Sequence, residues 1–224
     1  MELIITGSDG QLGMALKAVS EKYRQYDWVF LSKKEFDITN ITEMDKYFKI
    51  SDRKNSIVIN CAAYTDVEKA ELDHENAFLI NSEGPERLAE LAEKYKYKLI
   101  HISTDYVFNG QKSGSYNEND IPDPVNVYGS SKLSGENAVL NSKADFVIIR
   151  VSWLYSTTHQ TFLNKILNRI NISDEIRVVD DEKGSPTYAL DLAKDIVLIT
   201  EQIASEQQSF NEVYHYCNAG SVSR

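Results

Sequence analysis

Glu2-Leu3-Ile4-Ile5-Thr6-Gly7-Ser8-Asp9-Gly10-Gln11-Leu12-Gly13 decides the fold. Glu2 to Thr6 reads as a short apolar strand. Three glycines then follow with the spacing G-x-x-G-x-x-G. Met14, Leu16 and Val19 continue at helical intervals. Strand, glycine-rich turn and helix in this order form a unit that binds dinucleotides. The usual spacing there is G-x-G-x-x-G, but the physics is shared. Glycines allow a tight turn and close backbone approach, and the helix N-terminus can receive a pyrophosphate. A plain turn feeding a helix explains the same residues.

Further strands read outward from this unit. They are Trp28 to Leu31, Ser56 to Asn60, Lys98 to Ser103, Phe146 to Val151, Arg177 to Val179, and Val213 to Cys217. Ser56 to Asn60 is a continuous apolar run, as for a strand covered on both faces. Helical patterns lie between the strands. One runs through Ile41, Met44 and Phe48, with Thr39 or Asn40 as its cap. Another starts at Asp66. Ala77 to Tyr95 is long and amphipathic, with a kink or break expected at Gly84-Pro85. Phe162 to Ile170 and Leu190 to Ile203 are helical too, and Gly184 to Thr187 is a turn. Alternating strands and helices predict an α/β fold, a Rossmann-like doubly wound parallel sheet. Residues 1–155 form the NAD(P)-binding domain. Residues 156–224 are expected to form a smaller region, with later segments returning to the first domain; the resemblance below implies that this region is an incomplete substrate-binding one.

The chain has 224 residues, 42% hydrophobic and 26% charged, with a net charge of −10. That charge argues against nucleic acid, whose phosphates need Lys and Arg. Cys61 and Cys217 lie far apart without metal-ligand spacing, so no metal is expected and both thiols read as buried and free in a reducing cytoplasm. No apolar run reaches the ~20 residues of a membrane span. No signal peptide is read at the N-terminus. The expected location is the cytoplasm.

Tyr128-Gly129-Ser130-Ser131-Lys132 is the stretch that carries chemistry. On a helix, Tyr128 and Lys132 lie one turn apart on one face. An ammonium beside a phenol lowers the phenol's pKa and readies it for proton transfer. A surface tyrosine beside a solvated lysine is the commoner outcome of this spacing alone. Ser32-Lys33-Lys34 follows the second strand, where an NAD-binding acid often stands. These residues suit a 2′-phosphate, and equally a solvated basic turn. Cys61-Ala62-Ala63-Tyr64-Thr65 ends the third strand, where open α/β sheets bind ligands. The polar loop from Asn109 to Val125 is long enough to expect a function.

Together these pieces resemble the extended short-chain dehydrogenase/reductase family. The resembling residues are Thr6-Gly7-x-x-Gly10-Gln11-Leu12-Gly13, Asn60 to Glu71, Ser103 to Phe108 with Gly110, Tyr128-Gly129-x-x-Lys132, Arg150-x-Ser152-Trp153, and Gly184-x-Pro186-Thr187. The likeness is greatest to the branch that reduces 4-keto nucleotide sugars. It implies NAD(P)H-dependent reduction of the C4 keto group of dTDP-4-dehydro-L-rhamnose, with NADP(H) preferred and NAD(H) accepted. It also implies roles. Tyr128 is the proton donor to the C4 oxygen, Lys132 tunes it and holds the nicotinamide ribose, and Thr104 polarises the carbonyl. Gly7, Gly10, Gln11, Leu12 and Gly13 hold the pyrophosphate. Ser32 and Lys33 face the 2′-phosphate, Asp37 and Ile38 the adenine, and Ala62, Ala63, Tyr64 and Thr65 the ribose side. Asp105 and Trp153 contact the sugar.

The related 4,6-dehydratases need a glutamate base after Thr-Asp. Tyr106 stands there instead. An epimerase of the same fold and a non-catalytic NADP-binding regulatory subunit remain alternatives, and a homodimer is left open. In the family, Asn218 to Arg224 is a turn before a further helix, so several dozen more residues are expected to complete the substrate domain.

Overall fold

The computed structural model describes residues 1–50, 55–157, 162–170, 172, 175–179, 181–205 and 210–223. In chain order the elements are β1 (Glu2–Thr6), α1 (Gln11–Ser20), β2 (Asp27–Leu31), α2 (Ile41–Ile50), β3 (Ile57–Asn60), α3 (Val67–Ala70), α4 (His74–Phe78), α5 (Gly84–Tyr95), β4 (Lys98–Thr104), α6 (Val127–Leu140), β5 (Phe146–Val151), β6 (Leu154–Tyr155), α7 (Phe162–Ile170), β7 (Lys183–Gly184), β8 (Thr187–Tyr188), α8 (Ala189–Ser205), β9 (Asn211–Tyr216) and β10 (Val222–Ser223). Six strands pair in parallel in the order β2-β1-β3-β4-β5-β9. The order reverses between β1 and β3, and ligands of open α/β sheets bind outside the carboxyl ends at such a point.

Side chains of a strand alternate between faces, and the two cores follow from this. Leu3, Ile5, Ile57, Ile59, Val147 and Ile149 face one side, under α1 and α8. Ile4, Val58, Leu99 and Ile148 face the other, under α2, α5 and α6. Parallel strands covered on both faces carry continuous apolar runs, and β3 and β5 are buried along their whole length.

Helix starts obey local chemistry. Of the two candidate caps for α2, Asn40 is the one that acts, its Oδ1 accepting from Glu43 N at 3.2 Å. Thr39 instead donates through both N and Oγ1 to Asp37. The break expected at Gly84-Pro85 is a π-helical turn, Leu79–Glu83, between α4 and α5. Proline at the start of α5 needs no intrahelical donor.

Three expectations change. Both thiols were expected to be buried, but Cys217 is exposed and Cys61 half-buried. Arg177 to Val179 forms no strand. Val178 and Val179 are exposed, with no ladder beside them. The short pairs of this region are β7 with β10 and β6 with β8. The last long strand starts earlier than expected, at Asn211, and it extends the main sheet beside β5. Among the described residues no helix is long and apolar enough to cross a membrane.

Candidate active site

A cleft of about 1380 Å³ opens along the carboxyl ends of β1, β3, β4 and β5. The glycine turn forms one end. Gly7 takes φ +63°, and a Cβ there would stand 2.6 Å from the Ala62 backbone. Glycine therefore lets the turn lie against the end of β3. Beneath it Asn60 gathers three elements. Thr6 Oγ1 and Ala62 N both donate to Asn60 Oδ1, at 2.7 and 3.2 Å, and Asn60 Nδ2 meets His101 Nδ1 at 3.1 Å. A polar residue closing an otherwise apolar strand was the sequence signal for this brace.

Most of the expected site residues share this wall: Gly7, Gly10, Gln11, Leu12, Lys33, Asp37, Ile38, Ala62, Ala63, Thr65, Thr104, Asp105, Tyr128, Lys132 and Trp153. Gly13, Ser32 and Tyr64 lie outside it. A Cβ on Gly13 would stand 2.5 Å from Ser8 Cα, so this glycine packs α1 onto the turn. Ser32 N and Oγ both donate to Glu35 Oε2, at 2.9 and 2.7 Å. Those two bonds hold the Glu35 carboxyl below the usual carboxylate range. The Tyr64 backbone is clamped by Asn81, whose Oδ1 accepts from Tyr64 N at 2.8 Å and whose Nδ2 donates to Tyr64 O at 2.9 Å. The Tyr64 phenol donates to Asp73. Asn81 sits on the π-helical turn and also reaches Ser131 Oγ. Its part was not visible in the sequence, where only the break near Gly84-Pro85 stood out.

Tyr128 and Lys132 lie on α6, one turn apart as expected. Asn126 caps this helix, accepting from Gly129 N at 2.7 Å. Thr104 ends β4 on the same cleft wall, its Oγ1 donating to Asp105 Oδ1 and accepting from Tyr106 N, both at 3.2 Å. The electrostatics differ from the expectation. Burial pushes the Tyr128 phenol up to about 12, the neighbouring Thr104 hydroxyl lowers it, and the nearby Asp105 raises it. Burial lowers Lys132 to about 8, opposed by the Glu136 carboxylate. Lys132 Nζ donates to Ile102 O at 2.6 Å. Desolvation therefore outweighs the ammonium, and the phenol is held protonated. Asp105 is raised as well, chiefly by burial, against hydrogen bonds from Ser152 and Thr104. Tyr106 stands edge-on to Tyr128, ring centres 5.6 Å apart.

The family model described as "RmlD substrate binding domain" matches residues 1–224. The chain belongs to the RmlD substrate-binding-domain family. A curated dTDP-4-dehydrorhamnose reductase of Aggregatibacter actinomycetemcomitans is 38% identical over 222 residues, 99% of this chain and 74% of that protein. A solved dTDP-4-dehydrorhamnose reductase of Bacillus anthracis, in complex with NADP, is 37% identical. It superposes with a TM-score of 0.89 over 99% of this chain and 76% of its own. One from Clostridium acetobutylicum is 34% identical, with a TM-score of 0.90 over 100% of this chain and 76% of its own.

The RmlD-family cleft suits a dinucleotide on its own evidence. Gln11 Oε1 and Ser103 Oγ are buried on its wall without a hydrogen-bond partner. Gly10 caps α1, whose first turn holds no acid, so the helix N-terminus presents its positive end to the cleft. Lys33 is exposed at the far edge.

Proposed function

We propose that this chain reduces the C4 ketone of dTDP-4-dehydro-L-rhamnose to the alcohol of dTDP-L-rhamnose, with NADPH preferred and NADH accepted. One observation carries this reading. The fold brings Thr104, Tyr128 and Lys132 together in a single cleft whose other end is the glycine turn. When bound, the nicotinamide supplies the hydride to C4.

The protein's own groups supply the rest. The Tyr128 phenol, kept protonated by burial, gives its proton to the C4 oxygen as charge develops there. The Thr104 hydroxyl turns from Asp105 to donate to the same oxygen. The Lys132 ammonium, fixed by Ile102 O, holds the nicotinamide ribose. Hydride and proton together complete the reduction. Gly10, Gln11 and the start of α1 hold the pyrophosphate. Lys33, Asp37 and Ile38 take the adenosine end. Asp105 and Trp153 contact the sugar.

The test is turnover of dTDP-4-dehydro-L-rhamnose, followed by nicotinamide absorbance, with calorimetric titration of NADP⁺ and NAD⁺ alongside. No oxidation of NADPH with this sugar would remove the substrate assignment. A clear preference for NAD⁺ would remove the role given to Lys33.

A further inference from the structure

Trp153 is a bulky residue with φ +41°, in the left-handed region that side chains rarely adopt. Its backbone is fixed there. Thr187 N donates to Trp153 O at 3.1 Å, and the next two residues pair with β8. The indole lines the cleft, and Gly184 lies behind it, off the wall. An ideal Cβ on Gly184 would stand 2.4 Å from Cε2, 2.7 Å from Nε1 and 2.8 Å from Cδ2 of that indole. Real Cβ atoms do not approach so closely. The ring therefore rests flat on the bare Cα of Gly184. Gly184 itself is held in β7, paired with Val222 of β10.

We infer that Gly184 is the positioning residue that seats the Trp153 indole and so sets the grip of the cleft on the sugar. The inference rests on the proposed contact between Trp153 and the sugar. With the Trp153 backbone fixed on one side and β7 on the other, an added side chain has one way to be accommodated. The indole is pushed toward the cleft, narrowing the sugar end. The glycine turn and α1 lie at the other end and are untouched.

Gly184→Ala is expected to raise KM for dTDP-4-dehydro-L-rhamnose roughly tenfold, since misplacement by about 1 Å can cost as much as 10²-fold. kcat and the Kd of NADP⁺, measured by calorimetry, stay near wild type. In a Trp153→Ala background the three atoms that the added Cβ would strike are gone, so Gly184→Ala adds no further change in KM. An unchanged KM in Gly184→Ala overturns the seat, and so does an equal loss in both backgrounds. If Gly184→Ala alone fails to fold, the double variant still folds and binds NADP⁺, and failure of both overturns the inference. Trp153→Ala with unchanged KM would remove the sugar contact instead. The seat is then judged by fluorescence in a Trp28→Phe background, where Trp153 is the sole tryptophan. An emission shift on adding Gly184→Ala supports it, and an unshifted spectrum overturns it.

Discussion

Tyr128 and Lys132 sit one turn apart on one helix, and burial moves both toward their neutral forms. For the tyrosine this suits a donor, which must reach the ketone with its proton on. Tyr128→Phe is expected to lower kcat by roughly 10²-fold or more, as loss of a general acid does, while NADP⁺ affinity survives. Near-normal turnover would mean another group is the acid. For the lysine the shift has a stability consequence. Its folded value is about 8 against an ordinary 10.5. Between those values the unfolded chain holds a proton that the folded chain has lost, so this group's contribution to stability rises with pH. The urea stability of the wild type relative to Lys132→Met should therefore grow from pH 8 to pH 10. A flat difference would show that Lys132 is not held in a desolvated site.

At the scale of elements, α6 makes the site by lying very close to the Thr104 segment. A Cβ on Gly129 would stand 2.2 Å from Tyr106 O. Gly129→Ala should move α6 away from the end of β4 and part Tyr128 from Thr104. The expected cost is about 1–3 kcal/mol from overpacking, with kcat falling more than NADP⁺ affinity. Thermal unfolding and steady-state kinetics read the two effects. The same helix is tied to β5 by a buried ion pair. Arg150 Nε donates to both carboxylate oxygens of Glu136, at 3.0 and 3.1 Å, and Nη2 donates to Oε2 at 2.7 Å. Glu136 is 0% exposed and Arg150 6%. Glu136→Ala would strand the guanidinium, at about 3–5 kcal/mol, read from urea midpoints. A loss below about 1 kcal/mol would mean that water reaches the pair.

Across the whole molecule, the two ends of the chain share one core. Leu12, Leu16 and Val19 of α1 pack in the same cluster as Leu192, Ile196 and Ile203 of α8, and β9 completes the sheet beside β5. Cooperative unfolding follows from this sharing. Trp28 fluorescence in a Trp153→Phe variant and far-UV circular dichroism should report one urea transition. NADP⁺ at 100 times its Kd should stabilise that transition by about 2.7 kcal/mol. Two separated transitions would mean that α8 and β9 fold apart from β1 to β5.

The sequence by itself determined what local chemistry can encode. β1, the glycine turn and α1 were legible because an apolar run, a few glycines and a 3.6-residue period act over a dozen residues. The parallel sheet was legible from strands alternating with helices, and Tyr128 and Lys132 from their motif together with the others along the chain. Only the tertiary structure decided the rest. Arg177 to Val179 has the residues of a strand but no neighbour to pair with. Ser32 and Tyr64 belong to motifs that elsewhere face a cofactor. Glu35 and Asn81 engage them instead, and those partners were invisible in the motifs. The protonation of Tyr128 depends on how much water the folded cleft excludes, and the seat of Trp153 on a glycine 31 residues away in the chain. Strand pairing, desolvation and close backbone approach are set by residues distant in sequence, so no local pattern carries them.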